Sequence, residues 1–557
     1  MVLAACIVML FSGLGSFPLT DRDEGEYAAS ASEMIKRGDF VVPYLNGRPY
    51  LEKPILFFWT LSSSFKTFGQ NEFAARLPSA LAGLILLASM LFWAGHLSDR
   101  SSLGIIASLL LLGSPLFLLV ARACLTDMLL TLFIWCSMAF FYAYMEKDRG
   151  LFFIWLSWFF LSLGFLTKGP VAVAMCLPTF LLYSFIRRDF SWLRPRVLVS
   201  GISLFWVVSL PWYLEIYQRM GKAFVETFFI TQNFERFATT LLGHGGGPIY
   251  YLAVLAIGLF PYSALLPGLA QRGLPLLYAA VKKRNFLPKD SFFIFCLIAS
   301  LWIFILLTAA ATKQINYIVP ALPFLNLCLG VLILEESRAS ECKIVSKTWL
   351  ITVSALLLIV TVPWFLFPST IWKYVLKLIR FDSTEYAFTV HMPASLSFWA
   401  FGLFLITILC SFLFLHFKTW KIQRFCVPLF FSGWLIVFFL PTLACMVQCP
   451  AKDMALSVKR TILANHKEQR GPVRLTSFGL WKPSMIFYAN MPIKRIKTKH
   501  PKRLKDALSR PSPCFVFTRT RLQDKLDKIP NFLPIKKWEG YMLGGNEAAY
   551  SLFRSQR

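Results

Sequence analysis

The chain has 557 residues, of which 57% are hydrophobic, 16% aromatic and only 15% charged. So much apolar surface exceeds what a soluble core of this length can hide, which excludes an ordinary globular protein and makes the bilayer the solvent. The net charge of +28 would suggest nucleic acid in a soluble chain; in a membrane protein, basic cytoplasmic loops and contact with anionic headgroups account for it, and no nucleic-acid partner is expected.

Apolar runs long enough to span a bilayer, roughly 17–25 residues each, begin at about 2–20, 76–97, 103–121, 128–145, 151–167, 170–186 and 197–214. They continue at about 249–270, 291–311, 315–334, 347–368, 395–417 and 425–446. The expected fold is an α-helical polytopic membrane protein of about 13 transmembrane helices, with a small C-terminal extramembrane α/β domain. The first run lacks a basic n-region and an A-x-A-like cleavage site, so it reads as a membrane helix rather than a signal peptide. A membrane domain over 1–449 and an external domain over 450–557 follow, with 21–75 as a long external loop.

Orientation comes from the short connections. Arg187, Arg188, Arg194 and Arg196 share one; Arg272, Lys282, Lys283, Arg284 and Lys289 share another; Lys418, Lys421 and Arg424 share a third. The positive-inside rule makes these cytoplasmic, with a cytoplasmic N-terminus and the loops 21–75 and 215–248 outside. The multi-pass chain is expected in the cell (inner) membrane, its catalytic loops and C-terminal domain periplasmic or external.

In the first external loop, Asp23-Glu24-Gly25-Glu26-Tyr27 opens a helix-like segment that Gly38 stops, and carboxylates favour a helix N-terminus. The stretch 55–68 is too short and Ser-rich to span, and reads as an interfacial helix anchored by Phe57, Phe58 and Trp59. Trp212 and Tyr213 read as part of an aromatic belt. The tail carries 23 Lys or Arg against 7 Asp or Glu; its pieces 473–475, 485–488 and 514–518 read as strands and 453–466 as a helix.

Sorting ionisable residues by loop parity puts Asp21, Asp23, Glu24, Glu26, Glu52, Lys53, Arg122, Asp127, Lys168, His244 and Lys313 on one face of the membrane. Charge is costly in hydrocarbon, so such a gathering points to a polar site. Most of the twelve cysteines lie in apolar runs; Cys445 and Cys449 form the one close pair, with chance placement preferred to a disulfide.

Several of these residues stand in motifs. Asp23-Glu24, Gly38-Asp39-Phe40-x-x-Pro43, Tyr50-Leu51-Glu52-Lys53-Pro54, Arg76-Leu77-Pro78 and Arg122-x-x-x-Thr126-Asp127-Met128 come first. Leu166-Thr167-Lys168-Gly169-Pro170, Asn233-Phe234-Glu235-Arg236-Phe237, His244 with Pro248 and Tyr250-Tyr251, and Lys313-x-x-x-Tyr317-x-x-Pro320 follow. In this order, over roughly the first 335 residues, they resemble the GT-C superfamily of membrane glycosyltransferases, especially the aminoarabinose lipid A transferase and protein mannosyltransferase-like branch.

The resemblance implies inverting transfer of a hexosyl or pentosyl group from a polyprenyl-phosphate-linked donor to a lipid, glycan or protein acceptor, without a nucleotide cofactor. It agrees with the chemistry of the residues. A departing phosphate needs cations, for which Lys53, Arg122, Lys313 and Lys168 are the candidates. An attacking hydroxyl needs a carboxylate to take its proton; Asp23 is the candidate, with Asp127 as a second acid that orients donor or loop. Glu24, Tyr27 and Tyr50 are expected to line the substrate. Glu52 and His244 resemble positions that hold a divalent metal, zinc or another, and their donor atoms suit it. Where aminoarabinose transferases carry a basic residue before the tyrosine of the first motif, this chain has Glu26; an acid there disfavours a phosphate-bearing acceptor such as lipid A. A transporter of lipid-linked sugars is the main alternative, though no internal repeat supports it.

Overall fold

The computed structural model describes residues 2–240, 245–282, 290–336, 428–429, 431–465, 472–538 and 540–555. Among these, seven helices are long and apolar enough to cross a membrane. Four of them are α4 (Glu72–Ser98), α7 (Thr126–Glu146), α8 (Leu151–Lys168) and α9 (Pro170–Arg187), preceded by α1 (Val2–Phe11), α2 (Asp23–Arg37), α3 (Leu56–Phe68), α5 (Leu103–Leu112) and α6 (Pro115–Ala121). The fifth is α10 (Pro195–Met220), and Ser291–Ala309 and Ile315–Glu335 complete the set. Three broken pairs would add spans, among them α5 with α6, bent by 74° where Pro115 interrupts the ladder, and Tyr250–Gly258 with Tyr262–Lys282, bent by 116°. The expected spans at 347–368 and 395–417 lie outside the described residues. Large apolar side chains stay exposed on the spans, Phe92 at 73% and Ile257 at 75%, as lipid contact allows.

Helix α2 ends as the sequence suggests: Gly38 takes a left-handed φ of 67° and donates its N–H to the carbonyl of Ile35. Helix α3 has 13 residues, about 20 Å at 1.5 Å per residue, too short for the hydrocarbon core. Its expected lipid anchors are corrected. Phe57 and Phe58 are fully buried against Tyr27, at ring separations of 5.7 and 5.9 Å, because the loop folds over them as its own small core. Trp59 donates its indole N–H to the Phe40 carbonyl at 2.7 Å. The aromatic belt at Trp212 and Tyr213 is also corrected: both are buried, and they donate to the carbonyls of Val41 and Phe165.

After the long helix Leu440–Ala464 comes a five-stranded mixed sheet. Its strands are β3 (Arg474–Phe478), β4 (Ile493–Ile496), β5 (Cys514–Arg519), β6 (Leu533–Trp538) and β7 (Tyr541–Gly545), the short loop strands β1 (Tyr44–Leu45) and β2 (Arg48–Pro49) having come earlier. Strand order is β4-β3-β5-β7-β6, with β3 parallel to β4 and β5, and β7 antiparallel to both neighbours. The strand expected at 485–488 is instead part of the helix Pro483–Ala489. Pro483 starts it, a left-handed Asn490 ends it, and every residue is buried, so the run shows no period by which a helix could be told from a strand.

Candidate active site

One end of the helix bundle is covered by α2, α3, the segment 221–240 and the C-terminal domain. Glu24 sits one residue from Asp23 yet points into the protein. Its oxygens accept from Arg76 Nε at 2.9 Å and Nη2 at 3.0 Å, from Cys124 N at 2.7 Å, and from both Thr20 N and Thr20 Oγ1. Burial alone would raise its pKa, but the Arg76 charge and these hydrogen bonds hold it below the usual carboxylate range. Arg76 spends its remaining donors on the carbonyls of Leu14, Phe17 and Pro18. Glu24 therefore staples the loop to α4 and lines no substrate space, against expectation.

Two expected phosphate ligands are also turned away. Arg122, only 2% exposed, donates to the carbonyls of Met9, Leu10 and Ser12. These are the orphan acceptors at the end of α1, so the guanidinium caps that helix. Lys313 Nζ donates to the carbonyls of Thr308 and Ala310 at the end of Ser291–Ala309, the same role on another helix. Both residues are basic and at the right end; what their bonds satisfy is backbone.

The other residues converge. Asp127, in the first turn of α7, accepts from Lys168 Nζ at 2.5 Å and from Asn316 Nδ2 at 2.8 Å. Lys168, at the end of α8, lies 4.2 Å from the centre of the Tyr317 ring, and the Arg236 guanidinium stands 5.7 Å from the same ring. Arg236 follows a π-helical segment, Val225–Glu235, and its carbonyl accepts from Thr312 N. One nitrogen bonds Gln232 Oε1 at 2.8 Å, while its buried Nε has no partner among the described residues. Arg236 stood inside a recognised motif, but nothing in its loop sequence singled it out; its place beside Tyr317 comes from the pairing of 311–312 with 236–239.

Lys53 completes the cations. Burial, then the positive charges of Arg236 and Lys168, lower its ammonium to about 8, against the opposing pull of Glu52 and Asp23. On the acidic side, burial, then Glu52 and Asp23, raise Glu26 to about 7, although Tyr50 donates to it at 3.3 Å. Tyr27 and Tyr50 stand edge to face at 6.4 Å beside this group. Burial first, and the nearby Asp23 carboxylate among further causes, push both phenols well above their ordinary value.

Among the described residues, no group hydrogen-bonds or ion-pairs with the Asp23 carboxylate or the Lys53 ammonium. The site thus holds a carboxylate and an ammonium within each other's field, neither of them paired among the described residues. Glu52 lies within the same field, whereas His244 is outside the described residues. No three His, Cys, Asp or Glu side chains converge to hold a metal among the described residues. Cys445 and Cys449 are both unbridged.

A sequence profile of the dolichyl-phosphate-mannose-protein mannosyltransferase family matches residues 17–225, a stretch that contains Asp23, Lys53, Asp127 and Lys168. The match and the motifs show a resemblance to the membrane glycosyltransferases of the GT-C class.

Among individual proteins, the undecaprenyl phosphate-alpha-4-amino-4-deoxy-L-arabinose arabinosyl transferase of Yersinia pestis is 29% identical over 345 residues. That alignment takes in 59% of this chain and 58% of the relative, so the matched region spans under two thirds of the curated protein. An uncharacterised protein of Aquifex aeolicus is 27% identical over 69% of this chain and 74% of its own length. The crystal structure of ArnT from Cupriavidus metallidurans bound to undecaprenyl phosphate superposes with a TM-score of 0.77, over 99% of this chain and 98% of that one, at 20% identity. The apo ArnT structure gives 0.75. These likenesses establish the GT-C-type polytopic membrane fold with a small C-terminal sheet domain.

Proposed function

We propose that the chain is an integral membrane glycosyltransferase, moving a sugar from a polyprenyl-phosphate donor to a lipid, glycan or protein acceptor with inversion. The carrying observation is the Asp23 carboxylate within the field of the cationic group of Lys53, Lys168 and Arg236 around Tyr317. The cations hold the donor phosphate, and Tyr317 supports the two that lie over its ring. An acceptor hydroxyl then attacks the anomeric carbon as Asp23 takes its proton. The bond from that carbon to the phosphate oxygen breaks, and the polyprenyl phosphate leaves with its charge met by the cations. Asp127 holds Lys168 and Asn316 in place. The relatives named for an undecaprenyl-phosphate-linked donor and for bound undecaprenyl phosphate support this donor class.

The proposed setting is the inner membrane, with the N-terminus cytoplasmic and the site external. A divalent metal would be held by Glu52 and His244, whose donor atoms suit it, and would supply positive charge for the departing phosphate; no step above depends on it. The test uses the full-length protein in lipid vesicles, with undecaprenyl-phosphate-linked aminoarabinose and hexose donors and extracted envelope lipids. Mass analysis should show a sugar gained by an acceptor. Asp23→Asn should lower turnover about 10²- to 10⁴-fold, as expected for loss of a general base, while the protein still inserts. Full turnover in both Asp23→Asn and Lys53→Ala, or movement of the donor across the bilayer without transfer, would overturn the reading.

A further inference from the structure

The sequence places four acids within six residues, Asp21, Asp23, Glu24 and Glu26, and Asp21 is chemically as fit to act as a base as Asp23. Its surroundings give it another task. The Asp21 carboxylate accepts from Ser484 N and Ser484 Oγ, each at 2.9 Å, and from Lys482 Nζ at 3.1 Å. Lys482 also donates to Gln448 Oε1 at 2.9 Å, so the ammonium bridges the loop to the last described membrane helix. All of these donors come from the far end of the chain.

The backbone contact at this point is as close as the polar one. A Cβ on Gly25 would lie 2.4 Å from Ser484 N, a distance no side chain can occupy. Glycine lets the first turn of α2 rest on the start of the helix Pro483–Ala489. Further contacts hold the rest of the loop to the same domain. Tyr488 Oη accepts from Leu19 N at 2.7 Å, Lys36 donates to the Asn490 carbonyl at 2.7 Å, and Asn46 exchanges two hydrogen bonds with the backbone of Ile493.

We propose that the C-terminal α/β domain is a positioning element of the site. Lys482 and Ser484 clamp Asp21, and the Gly25 contact seats the first turn of α2, so that Asp23 is presented toward Lys53 and Tyr317 at a fixed height. Asp21, Lys482 and Ser484 touch no reacting atom. The clamp explains why a domain with no residue in the cationic group lies against the loop bearing the acid, and its catalytic arm rests on the function proposed above.

The test uses the full chain in lipid vesicles and compares wild type with Lys482→Gln/Ser484→Ala, Lys482→Arg and Gly25→Ala. Amide hydrogen exchange over residues 21–29 should be at least tenfold faster in the double variant, with 126–146 unchanged. Binding of undecaprenyl phosphate should stay within twofold, because Lys53, Lys168 and Arg236 are untouched. Turnover should fall tenfold or more with the donor KM within twofold, and Lys482→Arg should keep at least half the wild-type rate. Gly25→Ala, which removes no polar group, should shift exchange and turnover in the same direction. Unchanged exchange over 21–29 in both the double variant and Gly25→Ala would overturn the clamp, as would a loss of undecaprenyl phosphate binding equal to the loss of turnover. Should the wild type transfer no sugar, the proposed function falls, while exchange and binding still decide whether the domain holds α2.

Discussion

The two ends of the helix bundle use the same residue types in opposite ways. At the end away from the site, Asp99 pairs with Lys147, Asp189 with Arg149, Glu146 with Arg187, and Asp290 and Glu335 share Arg100 and Arg272. Each of these acids has a cation, and each pair ties neighbouring helix ends together. At the site end, Glu24 and Arg76 are matched just as fully, but Asp23, Glu52 and Lys53 carry no ion pair among the described residues. Burial first, and then the like charges nearby, raise Glu26 to about 7 and lower Lys53 to about 8. Matched charge marks where the fold is being held; unmatched charge marks where something else is to bind.

This contrast can be broken most severely inside the site end itself. Glu24→Gln leaves the Arg76 guanidinium buried without its counter-charge, a loss of about 3–5 kcal/mol for a buried pair. The variant should unfold at distinctly lower temperature and expose the loop to protease; stability near that of wild type would show that Glu24 is no staple.

A smaller, reversible effect is expected at Lys53. Its ammonium is charged below about 8, so affinity for undecaprenyl phosphate should be steady at neutral pH and weaken as pH rises through that value. Binding the phosphate favours the charged form and moves the loss somewhat higher. Lys53→Arg keeps its charge throughout and should flatten the profile measured by titration between pH 7 and 10. A wild-type profile already flat there would remove Lys53 from the binding group.

The smallest effect belongs to the opposite end. Asp99 is 77% exposed in its pair with Lys147, and an exposed pair contributes about 0–1 kcal/mol. Asp99→Asn should leave melting temperature and turnover nearly unchanged. A turnover loss of tenfold would mean that the two ends are coupled through the bundle.

Much of this was legible in the sequence because it rests on length and period. Within the described residues the expected spans fall on helices or bent helix pairs, α1 being a short one of ten residues, and Gly38 stops α2 where expected. What could not be read was direction. Asp23 and Glu24 are adjacent acids of the same helix turn, yet a rotation of about 100° between neighbours sends one to the cations and the other to Arg76. Arg122 and Lys313 lie at the correct end of their helices, but basic residues near a helix C-terminus can satisfy carbonyls as readily as a ligand. Arg236 was missed as a site residue for the converse reason, since its role depends on a pairing with residues 311–312 far along the chain.

The clamp between Asp21 and Ser484 joins residues 463 positions apart. Synthesis at about 5–20 residues per second puts tens of seconds between the emergence of the acid and the arrival of the domain that seats it. During that interval the membrane helices can insert and Glu24 can find Arg76, only 52 residues away, but α2 still lacks its support. A chain that lacks the domain would therefore carry the charged residues of the centre but leave α2 without the contacts from Lys482, Ser484 and Asn490 that hold it.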